Sequence, residues 1–250
     1  MFVNNLDPVI FPIGPVAITW YGLVYAIGFL LATLFLANIA KKGKIKNLNE
    51  NKAYDFMIIL IVGSILTARI FYIIFYNLRF YIENPLQVFA FWNGGMSFHG
   101  GLIGAIVATY YFSRKHKIRF LQLADYLVIP AALMLGFGRI ANFINKELIG
   151  TVTDISWCVD FGDEKCRHPV QLYASLKNFF TFGVLFFVEK YKEYKTGTLF
   201  YLFLILYGFG RFIIDFLRVQ EVYILSVGIG QWMSLIMGIV GAYFLFRNKD

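Results

Sequence analysis

The sequence predicts an all-α membrane protein with seven transmembrane helices. Hydrophobic residues make up 59% of the 250 residues and charged residues only 15%, whereas soluble domains carry roughly 25% charged residues. Seven apolar runs approach or exceed the roughly 20 residues that a helix needs to cross a bilayer. The net charge of +8 comes from short basic clusters between these runs. This pattern is typical of membrane topology and argues against a nucleic-acid partner.

The seven spans follow one another without a linker, a low-complexity tract or an internal repeat, so we expect a single integral membrane domain over residues 1–250. The first span has no Lys or Arg before it and is too long for a cleavable signal peptide, which indicates a retained helix. The third and fourth spans are short and need flanking residues to cross. The predicted spans are Val16–Ala40, Phe56–Tyr76, Met96–Phe112, Phe120–Phe137, Val170–Val188, Thr198–Leu217 and Tyr223–Phe246.

Lysine and arginine mark alternate loops and so predict the orientation. They cluster in residues 41–52, 114–119 and 190–195 and at the C-terminal end, whereas the intervening loops carry few or a balanced mixture. Because cytoplasmic loops are enriched in Lys and Arg, we expect the N-terminus outside and the C-terminus in the cytoplasm. The long outward loop, residues 139–169, is expected to fold as a small extracytoplasmic cap. Its Cys158 and Cys166 either form a disulfide in an oxidising compartment or stay free thiols.

Ionisable side chains gather in the outward half of the predicted spans. Each costs roughly 2.5–3.5 kcal/mol inside a bilayer on insertion scales, so it must be paired, hydrated or functional. Only Asp125 lies toward the cytoplasm, where we expect a structural role. The other residues predict one polar cavity that opens at the outer leaflet. They are Arg69, His99, Arg139, Lys177, Arg211 and Asp215, with Tyr21 and Gln231 near the outward ends of their spans.

The sixth span carries a polar stripe. Its members are Tyr207, Arg211, Asp215 and Arg218. Their spacing of i, i+4, i+8 and i+11 places them within about 80° of the helix circumference. The stripe offers two guanidinium groups to an anionic ligand. Alternatively, arginine and aspartate form an intrahelical pair that only neutralises itself.

His99 stands near the start of the third span, in the segment NGGMSFHGGLIG (residues 93–104). Gly100 and Gly104 form a GxxxG pair, which by itself indicates close helix packing. A lone histidine in an apolar helix is often structural. Here the neighbouring glycines would let a substrate approach, and imidazole accepts a proton near neutral pH, so we favour a functional role. No His, Cys, Asp or Glu grouping has metal-ligand spacing, so no metal is expected.

Two arginines entering one outer-leaflet cavity suit a phospholipid head group, because arginine makes planar, bidentate hydrogen bonds to phosphate. Hydrolysis of the lipid, transfer of part of it, and binding by a seven-helix receptor or transporter all fit the residues. A retinal-type receptor would want a lysine in the last span, and residues 223–246 contain none. A transporter usually shows repeated halves and charges near the midplane, whereas this sequence has no internal repeat and its charges lie in the outward half of the spans.

The segment GRIANFINKELIG (residues 138–150) resembles the signature of the prolipoprotein diacylglyceryl transferases at every fixed position. Two positions depart from that family. Asp215 stands where the family usually has Glu, which shortens the carboxylate's reach, and Ala174 stands where Glu is common, so that position is not expected to be essential. Other segments also resemble blocks of the family, and they occur along the chain in the same order as in the family. They are residues 20–23, 68–72, 99–104, 168–173, 207–211 and 230–231.

The resemblance implies an enzyme of the bacterial inner (plasma) membrane whose active site faces the outer leaflet. Members move the diacylglyceryl group from phosphatidylglycerol to the lipobox cysteine thiol of a prolipoprotein signal peptide, releasing glycerol phosphate without a cofactor. Membrane lipids are the other expected partners. The resemblance assigns the phosphate to Arg139 and Arg211 and the thiol proton to His99. It places further phospholipid-binding roles at Tyr21, Asn142, Glu147, Gly150, Tyr207 and Asp215.

Overall fold

The computed structural model describes residues 2–14, 16–220, 222–225 and 227–248, which are mostly helical. The α-helices are α1 (Trp20–Lys41), α2 (Glu50–Tyr76), α3 (Leu78–Glu83), α4 (Phe98–His116), α5 (Phe120–Ile144), α6 (Val170–Tyr191), α7 (Thr198–Ile214) and α8 (Ile229–Arg247). Short 3₁₀ helices cover Pro85–Phe89, Phe91–Asn93 and Asp215–Leu217. The strands are β1 (Phe2–Val3), β2 (Val9–Ile13), β3 (Val16–Thr19), β4 (Val159–Asp160), β5 (Tyr223–Ile224) and β6 (Val227–Gly228).

The helices have the surface of a membrane protein. In the described residues, five helical segments are long and apolar enough to cross a bilayer: α1, α2, α5, Thr198–Leu217 and α8. Helix α2 exposes large apolar side chains every four residues, at Ile58, Val62, Leu66 and Ile70. A face of this kind is stable in lipid and costly in water. The chain is therefore a multi-pass, mostly helical membrane protein, while the count of seven spans and their orientation remain predictions.

The helices differ from the predicted spans at several ends, and three of these differences have a visible local cause or change the loops. Helix α1 begins at Trp20 because residues 16–19, rich in β-branched side chains, form β3. Helix α8 begins at Ile229 because β5 and β6 pair as an antiparallel hairpin before it. Helix α5 continues past Phe137 to Ile144, and the first residue with positive φ comes only at Lys146. The loop after α5 is therefore shorter than expected, and we call residues 145–169 the cap.

The chain divides into two compact units. The first comprises residues 1–12, 18–28 and 125–250, and the second comprises residues 13–17 and 29–124. Helix α1 contributes to both. The expectation of a single integral domain stays a prediction.

In the second unit, α2 and α4 pack closely through glycines. A Cβ atom on Gly100 would lie 2.6 Å from the carbonyl oxygen of Thr67, and one on Gly104 would lie 2.6 Å from that of Gly63. Both distances are too short for any larger side chain. The close packing expected from the GxxxG pair is thereby confirmed.

Arg69 of α2 is buried, with 2% of its surface exposed, and main-chain carbonyls occupy its guanidinium. Nε donates to the carbonyl oxygen of Val88 at 3.1 Å, and Nη2 donates to those of Gln87 and Ala90 at 2.6 and 3.1 Å. Nη1 donates to the carbonyl oxygens of the two glycines at residues 94–95. Arg69 thus holds the irregular segment between α3 and α4, which is a structural role.

In the first unit, Asp125 caps the start of α7. Its Oδ2 accepts a hydrogen bond from the main-chain N–H of Gly197 at 2.6 Å, and its Oδ1 accepts one from Phe200 at 2.8 Å. The first N–H groups of a helix have no partner within the helix, and a carboxylate there also meets the positive end of the helix dipole. This is the structural role expected of Asp125.

The cap is joined to the N-terminal segment. Strand β1 pairs in parallel with β4, and the fully buried Asn4 donates to the carbonyl oxygen of Phe143 at 2.7 Å. A disulfide links Cys158 to Cys166, so the first of the two alternatives for these cysteines is correct. The disulfide therefore crosslinks the cap internally, and a strand that the sequence did not predict joins it to the N-terminal segment.

Candidate active site

The first unit contains a cavity of about 360 Å³, measured with its open mouth. Helices α5, α6 and α7 and the segment after α7 supply most of its wall. Four of its lining side chains are cationic and one is a carboxylate, so the wall carries an excess of positive charge. The lining residues are Arg139, Leu148, Val170, Gln171, Ala174, Lys177, Arg211, Ile214, Asp215 and Arg218.

Arg139 enters the cavity from α5, which continues beyond it to Ile144 and so places it within the helix and not at its predicted end. Its Nη1 lies 3.5 Å from Oδ1 of the buried Asn142, at the long limit of a hydrogen bond. Asn142 donates through Nδ2 to Glu147 Oε2 at 2.7 Å. Because a carboxylate only accepts, the amide must turn its nitrogen to Glu147 and its oxygen to Arg139. Asn142 therefore orients Arg139 directly. Glu147 does so indirectly, because it holds the Asn142 amide in place.

Arg211 enters from α7 and is held by Asp215. Its Nε donates to Asp215 Oδ2 at 3.2 Å, and Arg218 Nη1 lies 4.0 Å from Oδ1 of the same carboxylate. The expected stripe is only partly helical, because α7 ends at Ile214 and Arg218 follows a 3₁₀ turn. The intrahelical pair exists, yet the Arg211 side chain keeps 27% of its surface exposed.

Gly230 explains how α8 approaches this pair. A Cβ atom on Gly230 would lie 3.2 Å from Arg211 Nη2, tighter than most real contacts. Next to it, the buried Gln231 accepts through Oε1 from the main-chain N–H of Gly228 and donates to the carbonyl oxygen of Phe212. Gln231 is thus a helix-capping residue that ties α8 to α7.

Lys177 brings a third cation into the cavity from α6. Its Nζ lies 3.9 Å from the centroid of the buried Tyr207 ring, a cation–π contact. Lys177 was expected among the charges of the outward cavity, but no catalytic or phospholipid-binding role was predicted for it. The signal was present, since a lysine in an apolar helix needs a partner.

Tyr21 does not line the cavity. Its hydroxyl lies 3.3 Å from that of Tyr25, one turn along α1. Tyr25 interacts electrostatically with Arg139 and Tyr207. The expected role of Tyr21 in phospholipid binding stays a prediction.

Gly150 and Gln171 support the wall of the cavity. Gly150 pairs through its main chain with Arg218, and its carbonyl oxygen accepts from Arg167 Nη1 at 3.0 Å. A Cβ atom there would lie 2.8 Å from that of His168, so the position requires glycine. Gln171, which sequence analysis did not single out, donates through Nε2 to the carbonyl oxygen of Glu147 at 2.7 Å.

His99 belongs to the second unit, at the start of α4. Its side chain is exposed, and its ring centroid lies 5.8 Å from that of Phe98. Its part in the site stays a prediction. In the described ranges, no three His, Cys, Asp or Glu side chains cluster as a metal ion would require.

Three cationic side chains from three helices thus meet at one cavity, and Asp215 is the only carboxylate in its described wall. Unpaired charge is costly away from bulk water, so the arrangement favours an anionic ligand. A guanidinium group can donate two parallel N–H···O hydrogen bonds to the oxygens of a phosphate or carboxylate.

Comparisons with known proteins agree on one family. The family model for prolipoprotein diacylglyceryl transferase matches residues 8–247. A phosphatidylglycerol–prolipoprotein diacylglyceryl transferase of Geobacter sulfurreducens is 41% identical over 255 residues, covering 98% of this chain and 97% of its own. Proteins with the same description from Ehrlichia ruminantium and Bordetella parapertussis are 42% and 38% identical, each over 98% of this chain and over 98% and 97% of their own lengths.

Proposed function

The chain belongs to the prolipoprotein diacylglyceryl transferase family, and from that membership we propose that it transfers a diacylglyceryl group from phosphatidylglycerol to a prolipoprotein. The acceptor is the cysteine thiol of the lipobox in the signal peptide. The product is a thioether-linked lipoprotein precursor, so the reaction is the first step of lipoprotein maturation.

The reaction is a substitution at carbon. The thiol sulfur forms a bond to the glyceryl carbon of the diacylglyceryl group, and the bond from that carbon to the phosphate oxygen breaks. The bonding electron pair leaves with the oxygen, so the phosphodiester monoanion becomes the glycerol phosphate dianion. The thiol proton passes to a base. No redox partner or external energy source is needed.

One observation carries the site assignment: Arg139 and Arg211, from separate helices, line the same cavity. Two guanidinium groups can hold the phosphate and stabilise the charge that grows on it as the carbon–oxygen bond breaks. Asp215 would fix Arg211, and Asn142 with Glu147 would fix Arg139. Gly150 and Tyr207 would support the wall through their contacts with Arg218 and Lys177.

His99 is the proposed base, because imidazole accepts a proton near neutral pH. Cationic groups near the thiol would favour the thiolate as well. Replacing His99 by Gln should slow transfer at neutral pH, and raising the pH should recover part of the rate, since more thiolate then forms without a base. A rate that stays flat with pH would place the base elsewhere.

We further propose seven spans, formed by α1, α2, α4, α5, α6, α7 and α8, in the bacterial inner membrane. Helices α4 and α6 contain 19 and 22 residues, close to the length that a bilayer requires. Basic residues in the last turns of α1, α4 and α6 support a cytoplasmic location for those ends. The cap and the cavity would then face the outer leaflet.

A peptide-dependence assay tests the function. The purified protein is incubated with phosphatidylglycerol labelled in its head group, together with a lipobox peptide or its Cys→Ser counterpart. We expect labelled glycerol phosphate and a thioether-linked peptide only with the cysteine peptide. Release without any peptide would indicate a phospholipid hydrolase. Lipid binding with no release in any arm would indicate a receptor or transporter.

A further inference from the structure

We propose that Lys177 is a third phosphate-binding cation, which meets the second negative charge that the phosphate gains as glycerol phosphate leaves. The inference rests on the proposed function and extends it, because only Arg139 and Arg211 were expected to hold the phosphate. The site would then recognise a charge that develops during the reaction as well as the one present at the start.

The position of Lys177 brings it to the reacting group. It lines the same cavity as Arg139 and Arg211, which repel its charge, and as Asp215, which attracts it. Its aliphatic stem lies against Gly210, where a Cβ atom would come within 2.8 Å of Lys177 Cγ. Gly210 therefore lets the lysine side chain pass close to the backbone of α7, which carries Arg211 at the next position.

The ammonium group contacts an aromatic ring and, among the described residues, no carboxylate contacts it directly. The Tyr207 ring, 3.9 Å from Nζ, attracts the charge, yet a ring face is no substitute for the oxygen acceptors that three N–H donors can use. In the described part of the chain, no carboxylate lies within 4.0 Å of Nζ. Asp215, the only carboxylate in the described wall, is within that distance of Arg211 and Arg218 instead.

The charges of substrate and product explain why such a lysine is useful. The phosphodiester of phosphatidylglycerol carries one negative charge, whereas a phosphate monoester carries nearly two at pH 7, since its second pKa is about 6. Arg211 already shares its charge with Asp215. Arg139 and Lys177 lack a directly contacting carboxylate and can match the two charges of the leaving group. An interaction that strengthens in the transition state raises kcat more than it lowers KM.

The first test compares Lys177→Met with Lys177→Arg in the transfer reaction. We expect Lys177→Met to lower kcat by at least about tenfold, because a hydrogen bond to a charged group is lost. The KM for phosphatidylglycerol should change much less, and Lys177→Arg should recover most of the rate. The matched control is Lys190→Met, since Lys190 lies on the same helix with Nζ 5.1 Å from the Tyr191 ring and is not among the cavity residues. A kcat of Lys177→Met equal to that of Lys190→Met would overturn the inference.

A second test restores the charge chemically and does not depend on comparing separately folded variants. The two cysteines of the chain are joined in a disulfide, so Lys177→Cys introduces the only free thiol. Alkylation with bromoethylamine, verified by mass, converts that thiol into a lysine-like amine. We expect kcat to rise on alkylation and the Lys190→Cys control not to respond. Full alkylation without recovery would refute the role of the charge. Absence of thioether product from the wild type would refute the proposed function instead.

Discussion

Arg69 and Arg211 are both arginines on apolar helices, yet their surroundings differ in kind. Arg69 has 2% of its surface exposed, and each of its guanidinium nitrogens donates to main-chain carbonyls of its own unit. The Arg211 side chain is 27% exposed, pairs with one carboxylate and faces a cavity shared with Arg139 and Lys177. An arginine whose donors are all used by the backbone holds the fold, whereas one with donors facing a cavity can hold a ligand.

The largest effect should come from removing the cavity arginines. We expect Arg139→Gln and Arg211→Gln each to lower transfer by about 100-fold or more, the loss typical of removing one donor to a developing charge. The melting temperature should change little, because neither side chain organises backbone. Activity per mole of folded protein, measured with labelled phosphatidylglycerol and a lipobox peptide, checks this. Wild-type turnover in either variant would remove that arginine from the phosphate site.

Arg69→Lys is expected to act on folding, not on chemistry. A lysine keeps the charge but cannot serve acceptors at residues 87–95 together, and each buried carbonyl left without a partner costs about 1–3 kcal/mol. The yield of folded protein and its melting temperature in detergent should fall, while the surviving folded fraction keeps its KM. Normal stability with lost activity would indicate that Arg69 binds a ligand, and the structural role that distinguishes it from Arg211 would then be wrong.

Asp125→Asn should lower stability by a smaller amount. Asparagine still accepts hydrogen bonds, but the charge at the start of α7 is gone and one of the two oxygens becomes a donor that faces an N–H group. Losses of about 1–2 kcal/mol are usual for a helix cap. Thermal unfolding in detergent measures the change, and transfer per folded molecule should stay normal. An inactive variant of unchanged stability would contradict a structural role.

The smallest expected effect is the loss of stability when the ion pair between Asp163 and Arg167 in the cap is broken. Hydrogen bonds from Arg167 hold the pKa of Asp163 below its usual value. A depressed pKa stabilises the fold above the unfolded-state pKa, and the contribution disappears as pH falls through the folded-state pKa. Asp163→Asn should therefore lower the melting temperature slightly at neutral pH and by less near about pH 3. If the difference in melting temperature between wild type and variant instead grew as the pH fell, the pKa of Asp163 could not be lowered in the folded protein.

The sequence predicted most helices and the members of the sixth-span stripe, because apolar length and helical periodicity are local properties. It also indicated one cavity from the outward bias of the charges, and both arginines do line one. It did not reveal that main-chain carbonyls accept hydrogen bonds from every guanidinium nitrogen of Arg69. Every residue has such a carbonyl, so the amino-acid sequence carries no sign of which ones are used. Nor did it predict that β1 joins the cap at Val159, because that pairing connects distant segments. Lys177 was visible as a charge, but its packing against Gly210, the residue before Arg211, follows only from the structure.

The central claim is that the cavity arginines bind the lipid phosphate and that Arg69 does not. The affinity for labelled phosphatidylglycerol tests this claim most directly. The protein is placed in nanodiscs of zwitterionic lipid, and the dissociation constant is compared among wild type, the Arg139→Gln/Arg211→Gln double variant and folded Arg69→Lys. We expect the double variant to bind at least about 100-fold more weakly, since charged hydrogen bonds at two residues are lost, and Arg69→Lys to bind like the wild type. Wild-type affinity in the double variant would contradict the account.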